Sequence, residues 1–241
     1  MENKPLGHRS YGSIPHLPGS RLGQGDYHIS EGQARIATEK TRDKHDRVIV
    51  QEKLDGSNVA VAKVDGKILA ITRAGYVATT SKYQQHHIFA KWVELNAARF
   101  DSVLQEGERI CGEWLAQAHG TRYNLPHEPF VAFDLMQKFD PIRKAERATW
   151  DEFINRVGIY FDFPFLVGKG PMLPDKAIKL LDPKCHGAID PIEGLIYRVE
   201  RHGKVDFLTK YVRHDKQDGK YMPEHNGTGQ PIWNIDITPY L

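Results

Sequence analysis

The sequence predicts an α+β fold built on antiparallel sheets. Two pairs of β-branched or apolar runs meet at short turn signals. Residues 58–64 and 67–72 join through Asp65-Gly66, and 193–200 and 205–212 join through Arg201-His202-Gly203. The helical patterns between them are few and do not alternate with strands, which argues against a doubly wound parallel sheet. With 241 residues, 40% of them apolar, the chain can bury the core of one large domain.

The first 45 residues are rich in Gly, His and Arg and lack periodicity, so they read as a loop-rich lead-in with short elements. Within it, Gly19 to Gly25 superficially looks like a phosphate cradle. No strand precedes it and no Gly-Lys-Ser/Thr follows, so an ordinary surface loop is the better reading. A strand is expected over Val48–Glu52, then the Asp-Gly hairpin. One helix is expected over 82–104, because Phe89, Trp92, Val93, Ala97, Phe100 and Leu104 share a face. Strands follow at 108–115 and 130–136. Thr149 and Glu152 make a capping box before a short helix carrying Phe153, Ile154 and Val157, with Gly158 as its stop. The apolar run 159–167 contains Pro164 and reads as an edge or bent strand. Asp175 is placed as the cap of a helix running through Leu181.

Composition limits the partners. Lys plus Arg number 33 and Asp plus Glu 31, so a net charge of +2 excludes a protein that coats polyanions by bulk charge. A local patch stays open: Arg201 to Lys220 holds six basic residues against three aspartates, either a backbone-binding strip or a solvated face. The 12 histidines are scattered, and Cys111 and Cys185 offer neither a metal spacing nor a disulfide framework. No apolar run approaches ~18 residues and the first residues do not resemble a signal peptide, so a cytoplasmic protein without a membrane span is expected.

The most informative stretch is Gln51-Glu52-Lys53-Leu54-Asp55-Gly56-Ser57-Asn58. It puts a lysine at a strand end, ahead of a turn that glycine lets bend sharply. Such a lysine serves as a nucleophile when burial or nearby cations lower its pKa from ~10.4. Alone, it reads equally as an exposed strand-end lysine.

The string resembles motif I of the covalent nucleotidyltransferases, the superfamily of ATP-dependent DNA and RNA ligases and mRNA capping enzymes. Five further matches follow in the family's order. Arg73 lies in Thr72-Arg73-Ala74-Gly75, Glu113 in Cys111-Gly112-Glu113-Trp114-Leu115 (motif III) and Phe133 in Phe130-Val131-Ala132-Phe133-Asp134-Leu135 (motif IIIa). Glu193-Gly194-Leu195-Ile196-Tyr197 matches motif IV, and Lys210 lies where motif V falls. The resemblance covers about two thirds of the chain. Glu52-Lys53-Leu54-Asp55-Gly56-Ser57-Asn58 is similar to the RNA ligase 2-like branch, as is motif III followed by His119 and Tyr123. One departure stands out: the family's motif V usually has Lys-x-Lys, and here only Lys210 is present. Arg213 is the expected source of the second positive charge.

The resemblance implies the ligase adenylation-domain fold and an ATP-dependent RNA ligase using ATP as AMP donor and Mg²⁺. Lys53 would form lysyl-AMP, and AMP would then pass to a 5′-phosphate end that a 3′-hydroxyl attacks. Lys210 would offset charge on the α-phosphate. Phe133 would stack on adenine, Glu52 would accept from its amino group and Glu113 from the ribose hydroxyls. Arg73 would hold a phosphate, and Asp55 and Glu193 would position Mg²⁺. Asn58, Arg73, His119, Arg122 and Arg213 would contact RNA. The implied partners are RNA ends, DNA-containing duplexes and a partner protein in trans. The rival readings are a nucleotidyltransferase of the same fold with another acceptor (DNA ligase or capping type), and an inactive nucleic-acid-binding relative. The single motif V lysine favours the last. Roughly 30 residues follow Lys210, short of the ~50 of a small domain. The expectation is therefore one domain over 1–241, without a separate OB domain, and with Trp233 and Tyr240 packing back on the core.

Overall fold

The computed structural model describes residues 4–138 and 147–241; Met1-Glu2-Asn3, read above for a signal peptide, lies outside them. Among the described residues eight strands form two antiparallel sheets: β1 Asp46–Lys53, β2 Ser57–Val64, β3 Lys67–Thr72, β4 Arg109–Trp114, β5 Phe130–Met136, β6 Leu166–Lys169, β7 Gly194–Arg201 and β8 Lys204–Val212. One sheet has the order β6-β1-β7-β8 and the other β3-β2-β4-β5. Both expected hairpins form. Asp65 and Gly66 have φ of 51° and 69°, and His202 and Gly203 have 49° and 71°. Positive φ at both central residues is the primed turn that matches strand twist.

Alternation decides which face each strand buries. In β1, Val48 and Val50 enter one core with Leu195, Tyr197 and Val199 of β7, while Ile49 points into the other. In β2, Val59 and Val61 join that second core. The small Ala60 and Ala62 face the opposite way, beneath Tyr11 and Phe133. The second core is aromatic. Phe89 and Trp92 of helix α2 (Gln84–Leu95) and Phe100 of α3 (Ala97–Asp101) pack on Trp114 and Phe130, with ring centroids 5.2–5.9 Å apart. Each such ring contributes about 2–3 kcal/mol through burial. Trp233 and Tyr240 pack against this core, as the sequence suggests, and Ile235 and Ile237 join them.

The structure corrects two element readings and sharpens others. The helix expected over 82–104 breaks at Asn96, whose side-chain amide donates to the Trp92 carbonyl at 2.8 Å and competes with the backbone ladder. The lead-in holds a helix, α1 Glu31–Thr38, capped by Ser30; at eight residues its period is too brief to read. The run 159–167 does supply an edge strand, but only its end joins the sheet: the Phe165 carbonyl accepts the Glu52 N–H and β6 pairs with β1 from Leu166, since Pro164 has no N–H for a ladder and Ile159 is exposed. Thr149 does cap α4 (Trp150–Phe153), accepting from the Glu152 N–H, and a π turn at Ile154–Gly158 continues it. Helix α5 (Pro174–Leu180) starts with proline in its first turn, so Asp175 sits inside that turn rather than at the cap. Both cysteines are free and buried. Among the described residues no helix is long and apolar enough to cross a membrane.

Candidate active site

Lys53 is the last residue of β1, and the chain then crosses from one sheet to the other within Leu54-Asp55-Gly56. Gly56 makes this crossing possible, because a Cβ there would lie 2.5 Å from the Trp114 carbonyl oxygen. The crossing leaves a cleft of about 870 Å³ between the sheets. Lys53, Asp55, Asn58, Arg73, Glu113, His119, Phe133, Glu193 and Lys210 all line it, with Glu52 beside them. Residues spread over 158 positions thus converge because β1, β4, β5, β7 and β8 bring their ends or inner faces to one place.

Lys53 Nζ donates to Glu193 Oε2 at 2.5 Å. Burial pulls the Lys53 pKa down, but Glu193, Glu113 and Asp55 outweigh it and hold the amine above its ordinary value. This reverses the expectation of a lowered pKa: the neighbouring carboxyl groups outweigh burial. The Glu193 carboxyl is raised by burial, with Lys53 opposing. Burial also pushes Glu113 up to about 8, although Oε1 accepts the Gly56 N–H at 3.1 Å.

Lys210 projects from β8, lowered by burial and then by the charge of Lys53. Asp26 of the lead-in stands 3.5 Å from its Nζ and 2.9 Å from His16 Nε2. The Lys210 backbone bonds Pro15 and Leu17, so the lead-in runs along β8 as part of the site. Sequence reasoning missed Asp26, since nothing in a Gly-rich loop marks a carboxylate as a lysine's partner. Phe133 is the single half-buried residue of β5, with Tyr11 edge-on at 5.1 Å. Arg73 stands exposed at the rim and donates to Ser13 Oγ and the Gly12 carbonyl. His119, held by Gln85 at 3.1 Å, is lowered by burial. Asn58 Oδ1 is buried and lacks a partner.

Two expected RNA contacts lie outside the cleft lining. Arg122 forks onto Asp190 at 2.9 and 3.1 Å and stacks on Tyr221. Arg213 pairs with Asp215. Lys216, also outside the cleft lining, is buried 2.7 Å from Asp55 Oδ2 and donates to Thr121 Oγ1. Asp55 Oδ2 also accepts the Gly120 N–H at 3.0 Å. The basic strip at 201–220 is largely spent internally, with Arg201 on Asp43 and Asp46 and Lys210, Arg213 and Lys216 paired as above.

The raised carboxyls fix a pH dependence of stability. Glu52, about 7, and Glu113, about 8, bind protons in the folded chain that the unfolded chain has released, so stability falls as pH rises toward 8. Below about 6.5 the lowered His16, His86, His119 and His186 act oppositely, since the unfolded chain takes up their protons. Urea titrations should show unfolding free energy declining from pH 6.5 to 8, with a shallower slope in Glu113→Gln.

Two antiparallel sheets closing on a lysine-bearing cleft define the nucleotidyltransferase-type fold of the polynucleotide ligases. An RNA ligase family model matches residues 46–212, and the chain belongs to that family. Superposition on a Naegleria gruberi RNA ligase determined with pyrophosphate gives a TM-score of 0.53 at 16% identity, covering 90% of this chain and 58% of that one. An archaeal ATP-dependent RNA ligase gives 0.49 at 20% identity, covering 84% and 48%. An uncharacterized protein of Methanocaldococcus jannaschii is 30% identical over 97 residues, 39% of this chain and 20% of its own. The chain thus spans about half the length of these ligase structures and a fifth of the curated relative.

Proposed function

We propose that the protein is an ATP-dependent RNA ligase that works through a lysyl-AMP intermediate. The observation that carries this reading is the Lys53–Glu193 contact, 2.5 Å long, inside a cleft that Lys210 also lines. In the first step Lys53 Nζ forms a bond to the α-phosphorus of ATP as the bond to the pyrophosphate oxygen breaks. The amine must lose a proton, and Glu193 Oε2 is placed to receive it. Lys210 and Arg73 balance charge on phosphoryl oxygens. Phe133 gives adenine a stacking face, Glu52 an acceptor for its amino group and Glu113 a partner for the ribose hydroxyls. AMP then moves to a 5′-phosphate RNA end, with Asn58 and His119 beside it. A 3′-hydroxyl displaces it.

A divalent cation suits the donor set. Among the described residues no group of three or more metal-ligating side chains converges. Mg²⁺ needs no such cage, because it keeps several waters and binds one or two carboxylates with substrate phosphates. Asp55, and Glu193 through the cation's waters, would hold it. When bound it neutralises charge on the phosphates. The RNA ligase family match over residues 46–212 supports the choice of acceptor.

The reading is tested by incubating the protein with labelled ATP, then with 5′-phosphorylated RNA or DNA, nicked and single-stranded. It expects label on protein, then on RNA ends, then sealed product. Label moving to DNA ends alone would overturn the choice of acceptor. Lys210→Ala should slow protein labelling by roughly 10²-fold while leaving the fold intact by circular dichroism.

A further inference from the structure

The mouth of the cleft carries two aromatic side chains that none of the roles above uses. Tyr76 and Tyr83 keep 45% and 40% of their surface exposed, and both line the cleft. A single exposed aromatic is ordinary on a protein surface. These two differ in the frame that holds them and in the charge around them.

Tyr76 closes the turn after β3. The Thr72 N–H and the Thr72 hydroxyl both donate to the Tyr76 carbonyl, at 2.8 and 3.3 Å, and the turn between them carries Arg73. Gly75, at φ 90°, lets this turn press on the lead-in, since a Cβ there would lie 2.0 Å from the His8 carbonyl oxygen. Tyr83 directly precedes α2, and its N–H donates to Ser81 Oγ at 3.2 Å. His86 ties this segment to β2, with one ring nitrogen 2.6 Å from Ser81 Oγ and the other 2.8 Å from Ser57 Oγ. The Tyr83 ring stands edge-on to His86, with centroids 5.8 Å apart. Tyr76 thus shares a turn with Arg73, and Tyr83 is braced on the residue before Asn58.

The segments that build this side of the mouth hold basic residues and no acidic ones. Lys4, Arg9 and Arg21 lie between Glu2 and Asp26, and Lys67, Arg73, Lys82 and Lys91 lie between Asp65 and Glu94, with no Asp or Glu inside either interval. In a chain whose net charge is +2, that is a local concentration of positive charge. Arg21 and Lys91 pair with Asp218 and Glu94. Among the described residues Lys4 and Lys82 meet aromatic rings rather than carboxylates: Lys4 Nζ lies 4.4 Å from the centroid of Tyr76, and Lys82 Nζ 5.0 Å from that of Tyr83.

We propose that Tyr76 and Tyr83 form a stacking platform for the first bases of the RNA strand that brings the 5′-phosphate, and that Lys4 and Lys82 move from the rings to the adjoining backbone phosphates. Exposed rings beside basic side chains are what an unpaired strand needs, because every base has a π-face and every nucleotide a phosphate. A lysine suits the second task, since its flexible stem lets the ammonium follow the backbone. The assignment of this strand as substrate rests on the reading above, in which Asn58 stands beside the 5′-phosphate end and Arg73 beside phosphoryl oxygens.

The test is binding of a short 5′-phosphorylated single-stranded RNA to the full chain without ATP. The RNA carries 2-aminopurine near its 5′ end or, in a second sample, near its 3′ end. Stacking should quench the 5′ probe and leave the 3′ probe bright. Tyr76→Ala and Tyr83→Ala should each weaken binding by roughly tenfold and relieve the quench, whereas Tyr76→Phe and Tyr83→Phe should keep both. Lys82→Gln should keep the quench but flatten the log–log dependence of binding on salt by about 0.7. A 5′ probe that stays bright in the parent, a quench at the 3′ probe instead, or alanine variants that bind as the parent does would each overturn the platform and leave the ligase reading standing. A raised KM for ATP in protein labelling by the alanine variants would place the rings on the nucleotide, and also overturns it. A parent chain that quenches the 5′ probe yet takes no label from ATP overturns the ligase reading and leaves the platform as an RNA-binding surface.

Discussion

Lys53→Ala should abolish covalent nucleotide transfer to the protein, lowering it by at least ~10³-fold, because its amine is the proposed nucleophile. The substitution removes an ammonium that three carboxylates share. Glu193 then loses its 2.5 Å partner, and its buried carboxyl takes up a proton instead of standing as an unpaired charge. The fold should survive, since a protonated glutamic acid is tolerated in a cleft open to solvent. The check is labelled ATP followed by denaturing electrophoresis, with a thermal melt to show that the variant is folded.

Lys216→Met should have the largest effect on stability. Lys216 and Asp55 form a pair with side-chain exposures of 5% and 13%. Removing the lysine leaves Asp55 facing Thr121 and the Gly120 amide, with no cation in contact. Breaking one side of a buried pair costs about 3 kcal/mol. The loss should appear as a lower urea midpoint, and adding Asp55→Asn should recover part of it by removing the stranded charge. Lys216 also ties the segment after β8 to the turn carrying Lys53. Its loss should therefore slow adenylylation as well. An unchanged urea midpoint would show that the pair contributes nothing.

Most of the sheet architecture was legible, because both hairpins carry turn residues whose positive φ only a few residue types accept. Six residues in family order marked the cleft, and all of them line it. The less legible parts share one physical character. Asp26 and Lys216 meet partners far away in sequence, on loops without periodicity. A lone histidine or a lysine after the last recognisable strand carries no local signal of the carboxylate it will meet. Conversely, Arg122 and Arg213 look like RNA contacts by charge, yet each has an aspartate within hydrogen-bond reach. Asn96 shows the same limit for helices. The apolar face continues through it, and only the side-chain bond to Trp92 ends α2.

The central claim is that Lys53 is the nucleophile. Mass spectrometry of the protein after incubation with ATP and Mg²⁺ tests it most directly, with the peptide containing Lys53 sequenced under conditions that preserve phosphoramidates. The account predicts a single AMP on Lys53, released when pyrophosphate is added back. An AMP adduct on another residue, or no adduct from a folded and metal-supplied protein, would contradict it.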